Sequence, residues 1–149
     1  MSTVAKPPYE TTLLVRDSCL CLHVQRAARA LARRFDDEFR PLGLTNGQFS
    51  LLMSLNRPEP PGMAPVAALL AMDQSTLTAA LKPLERRGLL AIAPDPADRR
   101  VRLLALTPKG RRLLARAVPI WKRTHLEVEG LLLDGNPDQL RHSLHALCG

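Results

Sequence analysis

The chain has 149 residues, enough for one domain with a sizeable core, and carries a net charge of +7 from 21 Lys and Arg against 14 Asp and Glu. That excess points to a polyanionic partner. Three cysteines exclude a disulfide scaffold, an aromatic content of 3% excludes a stacking platform for single strands, and no uncharged apolar run approaches membrane-spanning length.

Residues 1–10 hold no apolar leader and read as a loose arm, so the protein is expected in the cytoplasm with reduced thiols. A long helix follows over 11–40, where Cys21, Val24, Ala28, Leu31 and Phe35 recur at helical spacing and Arg26, Arg29, Arg33 and Arg34 lie largely off that stripe. Pro41 and Gly43 stop it. A second helix begins at Thr45, with Phe49, Leu52, Met53 and Leu55 as its apolar residues, and ends before Arg57-Pro58. Glu59-Pro60-Pro61-Gly62 is a rigid turn. A short helix over 65–71 opens on Pro65 and is nearly all Ala, Val and Leu, which predicts burial. After the turn Met72-Asp73-Gln74, a helix spans 74–87 and stops at Gly88.

Residues 89–93 and 101–106 are too short for helices and flank Asp95-Pro96-Ala97-Asp98-Arg99-Arg100, which predicts a β-hairpin. Thr107-Pro108 then caps a long helix to about residue 133, with Pro119 expected to kink it. Asn136-Pro137 opens a last helix that sets Leu140, Leu144 and Leu147 on one face. The fold class is therefore mainly α with a small β-hairpin wing, a winged helix-turn-helix. A single domain is expected over 1–149, with residues 45–107 binding DNA. The apolar faces of 11–44 and 108–149 exceed what so small a reader can cover, which predicts an intertwined helical homodimer.

In the helix over 74–87, Ser75, Thr76 and Thr78 sit at the N-terminal end, where helix-turn-helix proteins touch bases and backbone, and Lys82 follows Thr78 by one turn. Gln74 suits adenine, and a threonine methyl suits thymine. Arg86 and Arg87 end the helix, where they serve either a phosphate or the helix dipole. Arg99 and Arg100 at the hairpin tip suit a narrow minor groove, with Asp98 orienting a guanidinium.

The order of these elements resembles the MarR family of winged-helix regulators over residues 17–148. The most specific part is Asp98-Arg99-Arg100, then Leu103 to Thr107, then Pro108-Lys109-Gly110, which is similar to the family's wing signature. Residues 77–89 resemble its recognition helix, and Leu42-Gly43-Leu44-Thr45 with Gln48-Phe49 its entry into the second helix. The resemblance implies that Arg100, two positions after the aspartate, enters the minor groove. A narrower resemblance is to the organic-peroxide sensors of the OhrR group, through Cys21 and Arg29 eight residues later. Gln25, Phe35 and Asn46 stand where that group places tyrosines around its thiolate. It also implies that a distant thiol, here Cys148, can pair with the first.

Two readings of Cys21 stand side by side: a small core residue on the helix stripe, or, with Cys19, a redox thiol near the start of a helix capped by Asp17, where the dipole favours an anion. Phe49 and Met53 read as core, and the resemblance implies a cleft there for a small anionic or phenolic effector near Arg29 or His23. Cys19 with His23, and His142, His145 and Cys148, have helical spacing that two metal ligands can share, but no complete metal motif accompanies them and no metal or other cofactor is assigned. The expected function is a sequence-specific regulator, a repressor on a pseudo-palindromic double-stranded operator, released by a small ligand or by thiol oxidation through a peroxide. A sequence-neutral architectural DNA protein and a metal-responsive regulator are the alternatives. No nucleophile elbow, phosphate loop or other enzymatic motif nominates catalysis.

Overall fold

The structure is a computed structural model that describes residues 4–149. It divides into two compact units, residues up to 34 and residues 35–149. The first holds α1 (Tyr9–Ser18) and most of α2 (Leu20–Phe39), whose end from Phe35 onward belongs to the second. The expected loose arm is therefore corrected: Tyr9 and Glu10 already open α1, while residues 1–3 of that arm lie outside the described residues.

The helix expected over 11–40 is also not one helix. Cys19 adopts an extended backbone (φ −69°, ψ 109°), closes α1 by donating its N–H to Val15 C=O, and starts α2 by accepting the His23 N–H on its own carbonyl. Its Sγ takes the Leu22 N–H at 3.4 Å, so Cys19 and not Asp17 fills the cap position of α2. Asp17 instead pairs with Arg16 at 2.7 Å.

In the second unit, α2 gives way to one 3-10 turn, Arg40–Leu42, ended by Gly43 in the left-handed region (φ 66°). Thr45 then caps α3 (Asn46–Ser54) in a reciprocal box with Gln48, at 3.2 and 3.1 Å. Asp36 takes both the backbone and the side-chain N–H of Asn46, at 2.6 and 2.8 Å, and these bonds hold its carboxyl below the ordinary value. α4 (Met63–Leu70) starts two residues before Pro65, which falls within its first turn, and Ala71 stands outside it at φ 52°. Burial of α4 is one-sided, because Val66 and Ala67 face the core while Leu69 is 63% exposed.

α5 (Gln74–Arg86) buries Leu77, Leu81 and Leu84, a spacing of one helical stripe, and continues through Pro83. The hairpin pairs β1 (Leu90–Pro94) antiparallel with β2 (Arg102–Leu106), in the register Leu90 to Leu106. The turn before α4 adds a bridge to it, Gly62 opposite Leu103, with Leu104 N–H donating to Pro61 C=O. α6 (Pro108–Glu129) runs through Pro119 and stops at Gly130, short of the expected residue 133. α7 (Pro137–Leu147) starts on the Asn136 cap. Phe39, Leu52, Val66, Leu77, Leu84 and Leu104 make the fully buried centre, each contributing about 1.5–3 kcal/mol on burial. Large apolar side chains nevertheless stay exposed at both chain ends, among them Leu14, Leu20, Leu126, Leu133 and Leu147.

Where α5, the hairpin and α6 meet, Gly110 lies so close to Leu89 that a Cβ would stand 2.0 Å from its carbonyl oxygen. Gly110→Ala should therefore cost about 3 kcal/mol despite alanine's better helix propensity. Gly47→Ala, at an exposed position in the first turn of α3, meets nothing within 4 Å and should gain up to about 1 kcal/mol. Urea unfolding of the two variants checks both signs.

Candidate nucleic-acid interface

α5 is anchored at its start by Asp73, whose carboxylate accepts the Thr76 N–H and the Ser75 hydroxyl, each at 2.7 Å. These hydrogen bonds, that of the Thr76 amide first, hold the Asp73 carboxyl below its ordinary value of 3.8. Thr78 donates its hydroxyl to Gln74 C=O at 2.8 Å. Ser75 and Thr78 thus have their protons engaged inside the helix start. What they offer outward is acceptor lone pairs and, for Thr78, a methyl group.

The hairpin tip is built by two aspartates. Asp95 takes the Ala97 N–H at 2.9 Å and donates its own N–H to Val101 C=O at 2.8 Å. Asp98 takes the Arg100 N–H at 3.1 Å and grips the Arg100 guanidinium through Nε and Nη2 at 3.1 and 3.2 Å. That two-pronged contact holds the Asp98 carboxyl low. The Arg100 side chain remains 91% exposed, so it is aimed without being covered.

α5, the start of α4 and the hairpin enclose a groove of about 670 Å³ whose lining includes Gln74, Thr78, Glu85, Arg100 and Arg102. Ser75, Thr76, Lys82, Arg86 and Arg99 are exposed outside that lining. Arg87 Nη1 donates to Gly43 C=O at 2.7 Å, which ties the end of α5 to the turn after α2. Sequence reasoning missed Arg102 and Glu85. Arg102 shares the strand phase of buried Leu104 and Leu106, which reads as inward, but the core has run out at its level and it is exposed. Glu85 reads as a solvated helix charge.

The remaining candidates lie elsewhere. In the first unit, His23 and Arg29 line a concavity of about 520 Å³ with Arg26 and Arg33. Gln25 Nε2 donates to Cys21 Sγ at 3.1 Å and Arg29 donates to Gln25 Oε1 at 3.3 Å, so an amide occupies the donor position beside that thiol. In the second unit, Phe49 is buried and stacked between Phe39 and Trp121, and Met53 packs on the same core. Cys19, Cys21 and Cys148 are free thiols, Cys148 ending α7 with its Sγ 3.5 Å from Leu144 C=O. No cluster of three or more His, Cys, Asp or Glu is found among the described residues, His142 and His145 included. None of the described helices is long and apolar enough to cross a membrane.

Residues 44–101 match the model of the MarR family. The chain is 34% identical over 139 residues to the HTH-type transcriptional regulator TtmR of Methylorubrum extorquens, covering 89% of this chain and 71% of that protein. Among solved structures, the M. tuberculosis regulator MosR in complex with DNA superposes with a TM-score of 0.80 at 34% identity, covering 88% of this chain and 94% of that one. The repressor CouR bound to a 23-mer DNA duplex gives 0.79 at 31% identity, covering 91% and 96%. CouR from Rhodococcus jostii RHA1 is also known with p-coumaroyl-CoA, at a TM-score of 0.76 and 26% identity, covering 89% and 93%.

The Asp73 cap carries a pH signature. A carboxyl lowered in the folded state adds stability that is complete above 3.8 and is lost as the pH falls through the lowered value. Asp73→Ala should lower the thermal midpoint at neutral pH, and the gap to the parent should close in strong acid. A gap constant across the acid range would show that the charge contributes nothing to the cap.

Proposed function

The chain belongs to the MarR family of transcriptional regulators, and from that premise we propose that it is a homodimeric repressor reading double-stranded DNA with α5 and the wing. The observation that carries this reading is the shared groove: Gln74 and Thr78 of α5 face the same space as Arg100 at the hairpin tip. In this reading α5 enters the major groove, where the engaged hydroxyls of Ser75 and Thr78 accept from base amino groups and the Thr78 methyl meets thymine. Thr76, Lys82, Arg86 and Arg99 face phosphates, and Arg100, aimed by Asp98, enters the flanking minor groove. Arg87 acts through its bond to Gly43, holding the end of the reading helix. The DNA-bound states of MosR and CouR support the placement.

Residues 45–107 form the reader, and residues 11–44 with 108–149 the dimerisation region. The exposed leucines at both ends of a single chain support a second copy as their cover. A two-fold dimer predicts a pseudo-palindromic operator with half-sites about 10 bp apart. The protein acts in the cytoplasm, without a catalytic step. Release comes from an effector that changes the spacing of the two readers: a small ligand, which the p-coumaroyl-CoA complex of CouR supports, or oxidation at Cys21 with Cys19 or Cys148.

Selection of duplexes by the purified protein should enrich one two-fold site over scrambled DNA, and enrichment of none would overturn the reading. On the selected operator, Arg100→Ala should lose about tenfold in affinity at matched salt, with the salt dependence shallower by up to about one phosphate. Thr78→Ala should relax preference at individual base pairs, whereas uniform weakening across all sequences would make it a backbone contact.

A further inference from the structure

Away from the reading groove, a second concavity of about 310 Å³ opens where the end of α5 meets the first turns of α6. Its lining is Arg87, Leu89, Lys109, Arg112, Leu113 and Arg116: four cations over two leucines, without a carboxylate. Lys109, Arg112 and Arg116 recur at steps of three and four, so they stand on one face of α6. Lys109 donates to Arg87 C=O at 2.8 Å, and Arg87 to Gly43 C=O at 2.7 Å. The side chains of Arg112 and Arg116 make neither a hydrogen bond nor an ion pair among the described residues. Like charges gathered in one concavity repel one another. An anion is the species that offsets that cost, and the volume suits a small molecule.

We propose that this concavity binds a small organic phosphate. Its dianionic head would lie between the Arg112 and Arg116 guanidiniums, with three oxygens to share among the cations. Its apolar body would lie over Leu113, the half-buried leucine of the lining. A DNA phosphate shares this chemistry, and operator binding by the double variant below separates the two sources. Occupancy also has a route to the reader, an extension that rests on the function proposed above. The anion competes for the Lys109 and Arg87 donors, whose two bonds fasten the end of α5 to α6 and to Gly43. Drawing them onto a phosphate loosens the recognition helix and weakens operator binding.

Calorimetry of the full chain without DNA, at fixed ionic strength, tests the site with phenyl phosphate, inorganic phosphate and benzyl alcohol as probes. Phenyl phosphate should saturate one site per chain at least tenfold more tightly than inorganic phosphate, and benzyl alcohol should not bind. The double variant Arg112→Ala, Arg116→Ala should lose phenyl phosphate binding by tenfold or more with an unchanged thermal melt. Absence of saturable binding, or binding that survives the double variant, overturns the proposal. So does a loss of operator affinity in that variant without any phenyl phosphate, which would place both arginines on DNA. In wild type, saturating phenyl phosphate should weaken operator binding severalfold, and an unchanged affinity would overturn the coupling to the reader. Because the calorimetry contains no DNA, its failure leaves the DNA-reading proposal standing, and failure to select an operator leaves the calorimetric result standing.

Discussion

The joint at Gly110 governs the geometry of everything that faces the groove. Thr107 donates its hydroxyl to Gly88 C=O at 2.6 Å, accepts the Gly110 N–H at 3.0 Å, and gives its backbone N–H to Leu89 C=O at 3.1 Å. One residue thereby caps α6, receives the chain as it leaves α5, and closes the base of the hairpin. The contact works only because residue 110 has no side chain to hold the α6 backbone away from Leu89. Lys109 adds a further bond to the α5 end. This joint holds the base of the hairpin against α5 and α6, as the Gly62–Leu103 bridge holds its side against the turn before α4.

Much of the fold is legible in the sequence where apolar spacing and punctuation agree. Leu77, Leu81 and Leu84 mark the inner face of α5, Gly88 ends it, and Thr107-Pro108 starts α6 as read. The break at Cys19 is not legible. Asp17-Ser18-Cys19-Leu20 holds no glycine or proline to mark it, and the cap is a thiol, a weak acceptor that ordinary capping preferences omit. The start of α4 was obscured in the opposite way. Pro65 is an acceptable first helical residue, but Gly62 is drawn into pairing with Leu103, and the helix begins directly after it. Composition overstated the burial of α4, because an Ala, Val and Leu run this short covers only one face of itself.

The candidate site was legible as residue types in a region and less so as contacts. The sequence nominates hydroxyls at the start of α5, but it does not tell that Asp73 and Gln74 C=O already hold the protons of Ser75 and Thr78. Arg87 stood in the sequence between two uses, and its partner Gly43 is 44 positions away, beyond any local pattern. Arg102 was hidden by strand alternation, a rule that presumes a core beneath every inward position and fails where a hairpin outruns its support. Charges gathered from distant segments, such as Arg87 with Arg112 and Arg116, are likewise invisible to spacing along one element.

The clasp between Asp98 and Arg100 has a consequence in time as well as in space. A guanidinium already facing a carboxylate at 3.1 Å projects little net field beyond the hairpin, and at physiological ionic strength what remains fades within about 8 Å. Such a pair adds little to the long-range pull that brings protein and duplex together. Under the function proposed above, encounter falls to the cations Lys82, Arg86 and Arg99, while Arg100 engages only after docking, when its preset orientation avoids the entropy of ordering a long side chain. On that reading Arg100 governs how long the complex lives rather than how quickly it forms.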